Sequence, residues 1–224
     1  MKIKCLYKGS IELMNHTPDG DLLVVNAARC SFDKEHEEFA DGQDDNLIKY
    51  LAKHKHVLPF RHPSATLRIV APVFVFRQLG KHQVGFSWSE VSRRYVSDAP
   101  DLHHPLSCWR EKADNVKQGS SSHFIDLGKA ASLDVEVGNI YRDALSLYDS
   151  MLKSGVCPEQ ARMILPQSMM TTTVTTGTLL AWNNMYNLRT EGHTQEETQV
   201  YARAIGTIMS KLFPISWEAL CEHS

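Results

Sequence analysis

Between Pro63 and Ala71 the chain alternates Ala65, Leu67, Ile69 and Ala71 with Ser64, Thr66, Arg68 and Val70. This is the period-two pattern of a half-buried strand. Pro72 follows at once, and its fixed φ and missing N–H suit the first turn of a helix. The spacing therefore predicts a strand that passes directly into a helix over Pro72 to His82. The apolar stretch APVFVF, Ala71 to Phe76, ties the next segment to a core. That segment, RQLGKHQVGFSWSEVSRRY from Arg77 to Tyr95, sets Arg77, Lys81, Arg93 and Arg94 among Gln78, His82, Gln83, Ser87, Ser89, Glu90 and Ser92. A polar run of this kind is often a solvated loop. Held against a core, its cations and hydroxyls can bind phosphate oxygens through charge-assisted hydrogen bonds, and its carboxylate and amides can read the edge of a heterocycle. The residues suit a nucleotide or a phosphorylated cofactor, and the site is expected where the predicted helix meets the following loop.

The remaining pattern is mixed. Leu22 to Phe32, LLVVNAARCSF, reads as a strand or a short buried element, followed by a charged segment, Asp33 to Asp45, expected as a mobile loop. Leu47, Ile48, Tyr50 and Leu51 have helical spacing within Asp45 to His54, leaving Lys49 and Lys53 in water. Pro100 to Ser132 shows no period and is expected to be irregular surface able to cover the site. Helices are predicted over Asp134 to Leu152 with a stop at Gly155, over Glu159 to Leu165 with a stop at Pro166, and over Thr178 to Leu188. Thr194 and Glu197 form a capping-box pattern ahead of Tyr201, Ile205, Ile208 and Leu212. With no repeat or linker, a single domain over 1–224 is expected, its second half mainly helical.

A net charge of −2 over 224 residues disfavours broad adhesion to nucleic acid or an anionic membrane, so the cations should serve a small ligand. No window approaches the roughly 18 apolar residues of a membrane span, and MKIKC leads into no signal-peptide core, so a cytoplasmic location is expected. Five cysteines without C-x-x-C spacing fit free thiols. No metal is expected: H-E-x-x-H is absent, and His54 with His56, or His103 with His104, lacks a carboxylate arranged as a ligand set. Neither G-x-x-x-x-G-K-[ST] nor G-x-G-x-x-G occurs, so side chains rather than backbone amides must hold phosphate. Arg162 and Arg189 lie in apolar contexts, ARMILP and NMYNLRTEGH, where a cation calls for an anion from a structural salt bridge or from a ligand. Cys157 has no adjacent base and Ser92 no elbow glycines, so a covalent nucleophile is not expected.

At these residues the chain resembles the flavin-dependent thymidylate synthases. KHQVGFSWSEVSRR is similar to that family's R-H-R signature followed after a spacer by Ser-x-Arg, with Lys81, His82 and Gln83 at the R-H-R positions. AARCSF (Ala27 to Phe32), HKHVLPFRH (His54 to His62), APVFVFRQ (Ala71 to Gln78), ARMILP (Ala161 to Pro166), NNMYNLRTEGH (Asn183 to His193) and FPISWEAL (Phe213 to Leu220) are similar to family blocks, in family order. The resemblance implies an α+β fold in which a central, mostly antiparallel sheet packs against several helices. It implies reductive methylation of dUMP to dTMP, with methylenetetrahydrofolate as carbon donor and FAD, reduced by NADPH, as hydride donor, in sites shared between subunits of a homotetramer. By matching positions, Gln78, Glu90, Ser92, Arg94, Arg162 and Arg189 should bind dUMP, with Arg189 catalytic. Lys81, His82, Gln83, Glu90, Asn184 and His193 should contact FAD, with Ser31 and His56 near it.

The sequence also departs from the family. Lys-His-Gln removes two guanidinium forks and keeps one point charge, which should weaken or rearrange the grip on pyrophosphate. The spacer to Glu90 is one residue longer than usual, and Arg61, Leu58, Thr178 and Leu180 replace an acid, Thr, Asn and Arg. Two alternatives follow: a pyrimidine nucleotide hydroxymethylase of the same fold, or a pyrimidine nucleotide-binding protein without catalysis.

Overall fold

The computed structural model describes residues 1–114 and 119–223. In chain order the elements are β1 (Lys2–Lys4), β2 (Ser10–His16), α1 (Gly20–Arg29), α2 (Gln43–Lys53), β3 (Ser64–Pro72), α3 (Val73–Leu79), β4 (Phe86–Glu90), β5 (Arg110–Lys112), β6 (Ser120–Phe124), α4 (Leu127–Lys153), α5 (Pro158–Ala161), β7 (Met170–Thr178), α6 (Leu179–Thr190), α7 (Glu196–Leu212) and α8 (Pro214–Glu222). Short 3₁₀ turns lie at Cys30–Phe32, Pro59–Arg61 and Arg162–Ile164. The main sheet runs β1-β2-β3-β7-β4, with every neighbouring pair antiparallel. A separate hairpin pairs β5 with β6. The architecture is the α+β class expected from the resemblance.

β3 is the strand its alternation predicts: Ala65, Leu67, Ile69 and Ala71 are buried, and they pack with α1, α2, α3, α6, α7 and α8 residues in one core. Pro72 stands at the N-cap of α3, so the strand becomes a helix without a connecting loop. That helix stops at Leu79, short of the expected His82, with Gly80, a poor helix former, at its C-cap. The central partner of β3 is β7, MTTTVTTGT, which hydrophobic alternation does not reveal. Thr171, Thr173 and Thr175 point inward, while Val174 is the exposed residue. Thr173 and Thr175 share a buried hydroxyl–hydroxyl bond, and Thr66 and Thr176 pair across β3 and β7, so polar side chains are satisfied where aliphatics are usual. At Gly177 any Cβ would come within 2.4 Å of the Phe86 ring and 2.8 Å of the Trp182 indole nitrogen, so β4 and α6 close onto β7 only over a glycine.

Other expectations need correction. Leu22 to Phe32 is α1 and a 3₁₀ turn, not a strand. The charged segment after it is fixed rather than loose. Asn26 exchanges two hydrogen bonds with the backbone of His36, and fully buried Asp44 accepts from Arg29 at 3.0 Å, His36 at 3.0 Å and the Ala40 amide at 2.9 Å. Burial opposes ionisation of Asp44, but these three donors together hold its carboxyl below its ordinary range. α2 packs through Ile48 and Leu51, with Lys49 and Lys53 in solvent as expected, but Tyr50 is exposed. Within Pro100 to Ser132 the structure places β5, β6 and the first turn of α4; residues 115–118 of that segment lie outside the described residues.

α4 begins earlier than expected because Asp126 caps the amides of Gly128 and Lys129, and it ends before Gly155, whose φ of 84° favours glycine. Its apolar face is partly covered: Val137, Tyr141, Ala144 and Met151 are half-buried and Tyr148 is buried, while Ile140 and Leu147, and Val135 on another side, are exposed. The capping box at Thr194 does not form. Gln195 is the N-cap of α7, the Thr194 hydroxyl donates to the Leu188 carbonyl, and Glu197 binds Arg110. Among the described residues, no helix is long and apolar enough to cross a membrane.

Candidate functional site

The residues singled out in the sequence divide among three clefts. The first lies where α3 ends against the α6–α7 connection, rather than against the loop that follows α3 in sequence. α6 starts at Thr178, whose hydroxyl caps the Ala181 amide, and its last turn carries Arg189. The Arg189 Nε donates to His82 Nε2 at 3.1 Å, and its Nη2 donates to the Gln78 carbonyl at 2.9 Å. Burial, and then the charge of Arg189, hold the His82 pKa below its ordinary value, so the ring accepts as a neutral base. The Gln78 amide donates to Gln195 Oε1 at 2.8 Å. The cleft, about 590 Å³, is lined by Gln78, Arg110, Leu188, Arg189, His193 and Gln195 among others. Arg110 reaches it from β5, fixed by Glu197 at 2.7 Å and Glu196 at 3.3 Å. Burial opposes ionisation of Glu197, but Arg110 holds it as the carboxylate.

The second cleft, about 390 Å³, opens on the neighbouring face of α3, which presents Val73 and Arg77 one turn apart. Glu90 ends β4 and accepts from the Thr171 hydroxyl at 3.0 Å. Ser92, Arg93 and Arg162 complete the polar lining over a floor of Leu165, Pro166 and Met169. Arg93 donates to the Asp98 carbonyl. Arg94 stays exposed: its amide donates to the Ser92 hydroxyl at 3.3 Å, and its Nη1 lies 3.5 Å from Glu159, three residues before Arg162. Arg162 is exposed as well, which corrects the apolar surroundings read from ARMILP.

The third cleft, about 540 Å³, has the apolar walls Phe32, Leu47, Tyr50, Leu58 and Pro59, with Ser31 and His56 among its polar groups. Of the other residues expected near a flavin, Lys81 is exposed, Asn184 is exposed on α6, and the Gln83 amide donates to the Gly80 carbonyl at 2.6 Å. Two of the departures from the family are structural: Thr178 caps α6, and Leu180 is buried in the core. Within one chain, then, Gln78, His82, Arg189 and His193 meet at the first cleft, Glu90, Ser92 and Arg162 at the second with Arg94 alongside, and Ser31 and His56 at the third. Arg110, Gln195 and Thr171 had no local signal in the sequence, and the signal at Glu197 was that of a helix cap rather than of an arginine partner. Each is placed by a contact across a long stretch of chain.

Residues 12–215 match the family model described as "Thymidylate synthase complementing protein". The chain belongs to this family. Among its curated relatives, a flavin-dependent thymidylate synthase of Thermosipho melanesiensis is 32% identical over 224 residues, covering 100% of this chain and 95% of the relative. One of Thermus thermophilus is 31% identical over 223 residues, covering 100% of this chain and 79% of its own length. The crystal structure of a UMP/dUMP methylase, PolB from Streptomyces cacaoi, bound with 5-Br dUMP, superposes with a TM-score of 0.83 at 28% identity, covering 98% of this chain and 97% of that one. The same methylase bound with 5-Br UMP gives 0.82 at 27% identity, over 96% and 94% of the two chains. This flavin-dependent thymidylate synthase family member is accordingly a methyltransferase.

Proposed function

We propose that the enzyme reductively methylates dUMP to dTMP, taking the carbon from methylenetetrahydrofolate and the hydride from FAD that NADPH has reduced. The observation that carries this reading is the pairing of Arg189. Its two hydrogen-bond partners, a backbone carbonyl and a neutral imidazole, orient the guanidinium without neutralising it. A half-buried cation held this way can oppose negative charge as it develops on a uracil ring, and the surrounding structure need not reorganise to do so. Gln78, Glu90, Ser92, Arg94 and Arg162 are assigned to dUMP, the carboxylate and amide reading the base and the cations the phosphate.

The residues present fit FAD. The third cleft offers apolar walls for a planar ring, with Ser31 and His56 at hand, and Lys81 is an exposed cation suited to a phosphate. His82, Gln83, Glu90, Asn184 and His193 complete the assignment. When bound and reduced, FAD supplies the hydride. The chain's own part is to hold the base against Arg189 and to keep His82 neutral. Because the assigned residues occupy separate clefts in one chain, we assign the complete site to a homotetramer, and the exposed Leu133, Val135, Ile140 and Leu147 of α4 support self-association. The enzyme acts on free nucleotides in the cytoplasm, with no nucleic-acid partner.

A second substrate, UMP, is favoured by the relative that binds 5-Br UMP. The test supplies purified protein with methylenetetrahydrofolate, NADPH and either dUMP or UMP, then weighs the product and records the flavin absorbance. A yellow protein that makes dTMP is expected. A hydroxymethylated product, or a colourless protein that binds dUMP without turnover, would replace this reading with one of the two alternatives.

A further inference from the structure

The second cleft holds more positive charge than the family resemblance assigns to it. Arg77 from α3, Arg93 from the segment after β4 and Arg162 from the 3₁₀ turn before β7 all line it, together with the hydroxyl-bearing Ser92. One carboxylate, Glu90, lies among them, and it is already engaged by Thr171. Among the described residues, none of these three arginines forms an ion pair. The Arg93 guanidinium is nonetheless held in place, because one of its N–H groups donates to the Asp98 carbonyl and leaves the rest of the donor fork available. Three guanidinium groups less one carboxylate leave a local charge of +2. A phosphate monoester carries about −1.5 to −2 at pH 7, so the cleft is matched to one.

We propose that Arg77 and Arg93 are phosphate-binding residues that complete, with Arg162 and Ser92, a cradle for the 5′-phosphate of the pyrimidine substrate. Through this cradle Arg93 makes the enzyme select a nucleotide over its nucleoside. The proposal rests on the reading of the substrate as a pyrimidine nucleotide and adds residues that the resemblance leaves unassigned. The three arginines come from elements fixed independently of one another, so their charge is gathered around the cleft before the ligand arrives, and among the described residues Arg93 alone of the three has its guanidinium anchored by a hydrogen bond.

The test is isothermal titration of the full-length wild-type protein, R93A and R77A with dUMP, deoxyuridine and inorganic phosphate, at low and at moderate salt. Loss of one charge-assisted hydrogen bond predicts that dUMP binding weakens about tenfold or more in R93A and becomes less sensitive to salt. Deoxyuridine should bind wild type and R93A alike. Equal dUMP affinity in wild type, R93A and R77A would overturn the proposal, as would an equal loss of dUMP and deoxyuridine in the variants. If R93A does not fold, R93K keeps the charge without the fork, and unchanged dUMP affinity in R93K and R77A together counts against the cradle. Inorganic phosphate separates this proposal from the substrate reading. Phosphate bound by wild type and lost in R93A supports the cradle even if dUMP fails to bind, whereas dUMP that binds independently of both arginines leaves the substrate reading standing without it.

Discussion

His82 accepts a hydrogen bond from Arg189 through Nε2, and it can do so only while its ring is neutral. Burial and the neighbouring guanidinium lower its pKa, so protonation is disfavoured in the fold. The interaction is therefore intact above the unfolded value of about 6.5 and is lost as pH falls through the lower folded value. Turnover against pH should therefore show an acid limb below about 6.5. H82Q, whose amide oxygen can still accept, should keep activity and lose that limb, while H82A should lower kcat more than it raises KM. An unchanged acid limb in H82Q would remove His82 from this positioning role. At this scale the sequence was informative about chemistry and silent about partners. Arg189, Gln78 and His82 were all singled out, but that Arg189 meets His82 across 107 positions follows from how the segment after α3 lies against the last turn of α6, which no local pattern encodes.

Elements were legible where burial and hydrophobicity coincide. β3 and α2 put their aliphatic residues inward, so period and composition agree. β7 reverses this relation, with threonines inside and a valine outside, and went unseen although it is the central partner of β3. α1 is short and apolar enough that its residues read equally as strand or helix. The segment after it is ordered by one carboxylate. With Asp44 fully buried against Arg29, D44N should destabilise the fold by about 3 kcal/mol, the lower range for breaking a buried pair, as a fall in the urea midpoint. The Asp44 pKa is lowered, so its contribution is present above the unfolded value of about 3.9 and lost as pH falls through the folded one. The stability of D44N should accordingly depend less on acid than that of wild type. An unchanged midpoint and an unchanged acid dependence would show that the segment is held by Asn26 alone.

At the scale of the whole molecule, the residues assigned to the site line separate clefts of one chain. Arg162 and Arg94 lie on one side of α3 and Arg189 on another, while α4 leaves apolar residues in water. The proposed assembly would resolve both by bringing the clefts of different subunits together. Sequence resemblance could propose the residues but not their spatial grouping, because neither cleft geometry nor subunit contacts leave a period in a sequence. R189A and R162A should each be folded, oligomeric and inactive. Co-expressing the two variants and purifying the mixed oligomer tests the arrangement most directly. If each site draws Arg162 from one subunit and Arg189 from another, some sites in the mixture carry both wild-type arginines and dTMP synthesis returns. A mixed oligomer as inactive as its parents would mean that both arginines act within a single chain, contradicting the shared site on which the account depends.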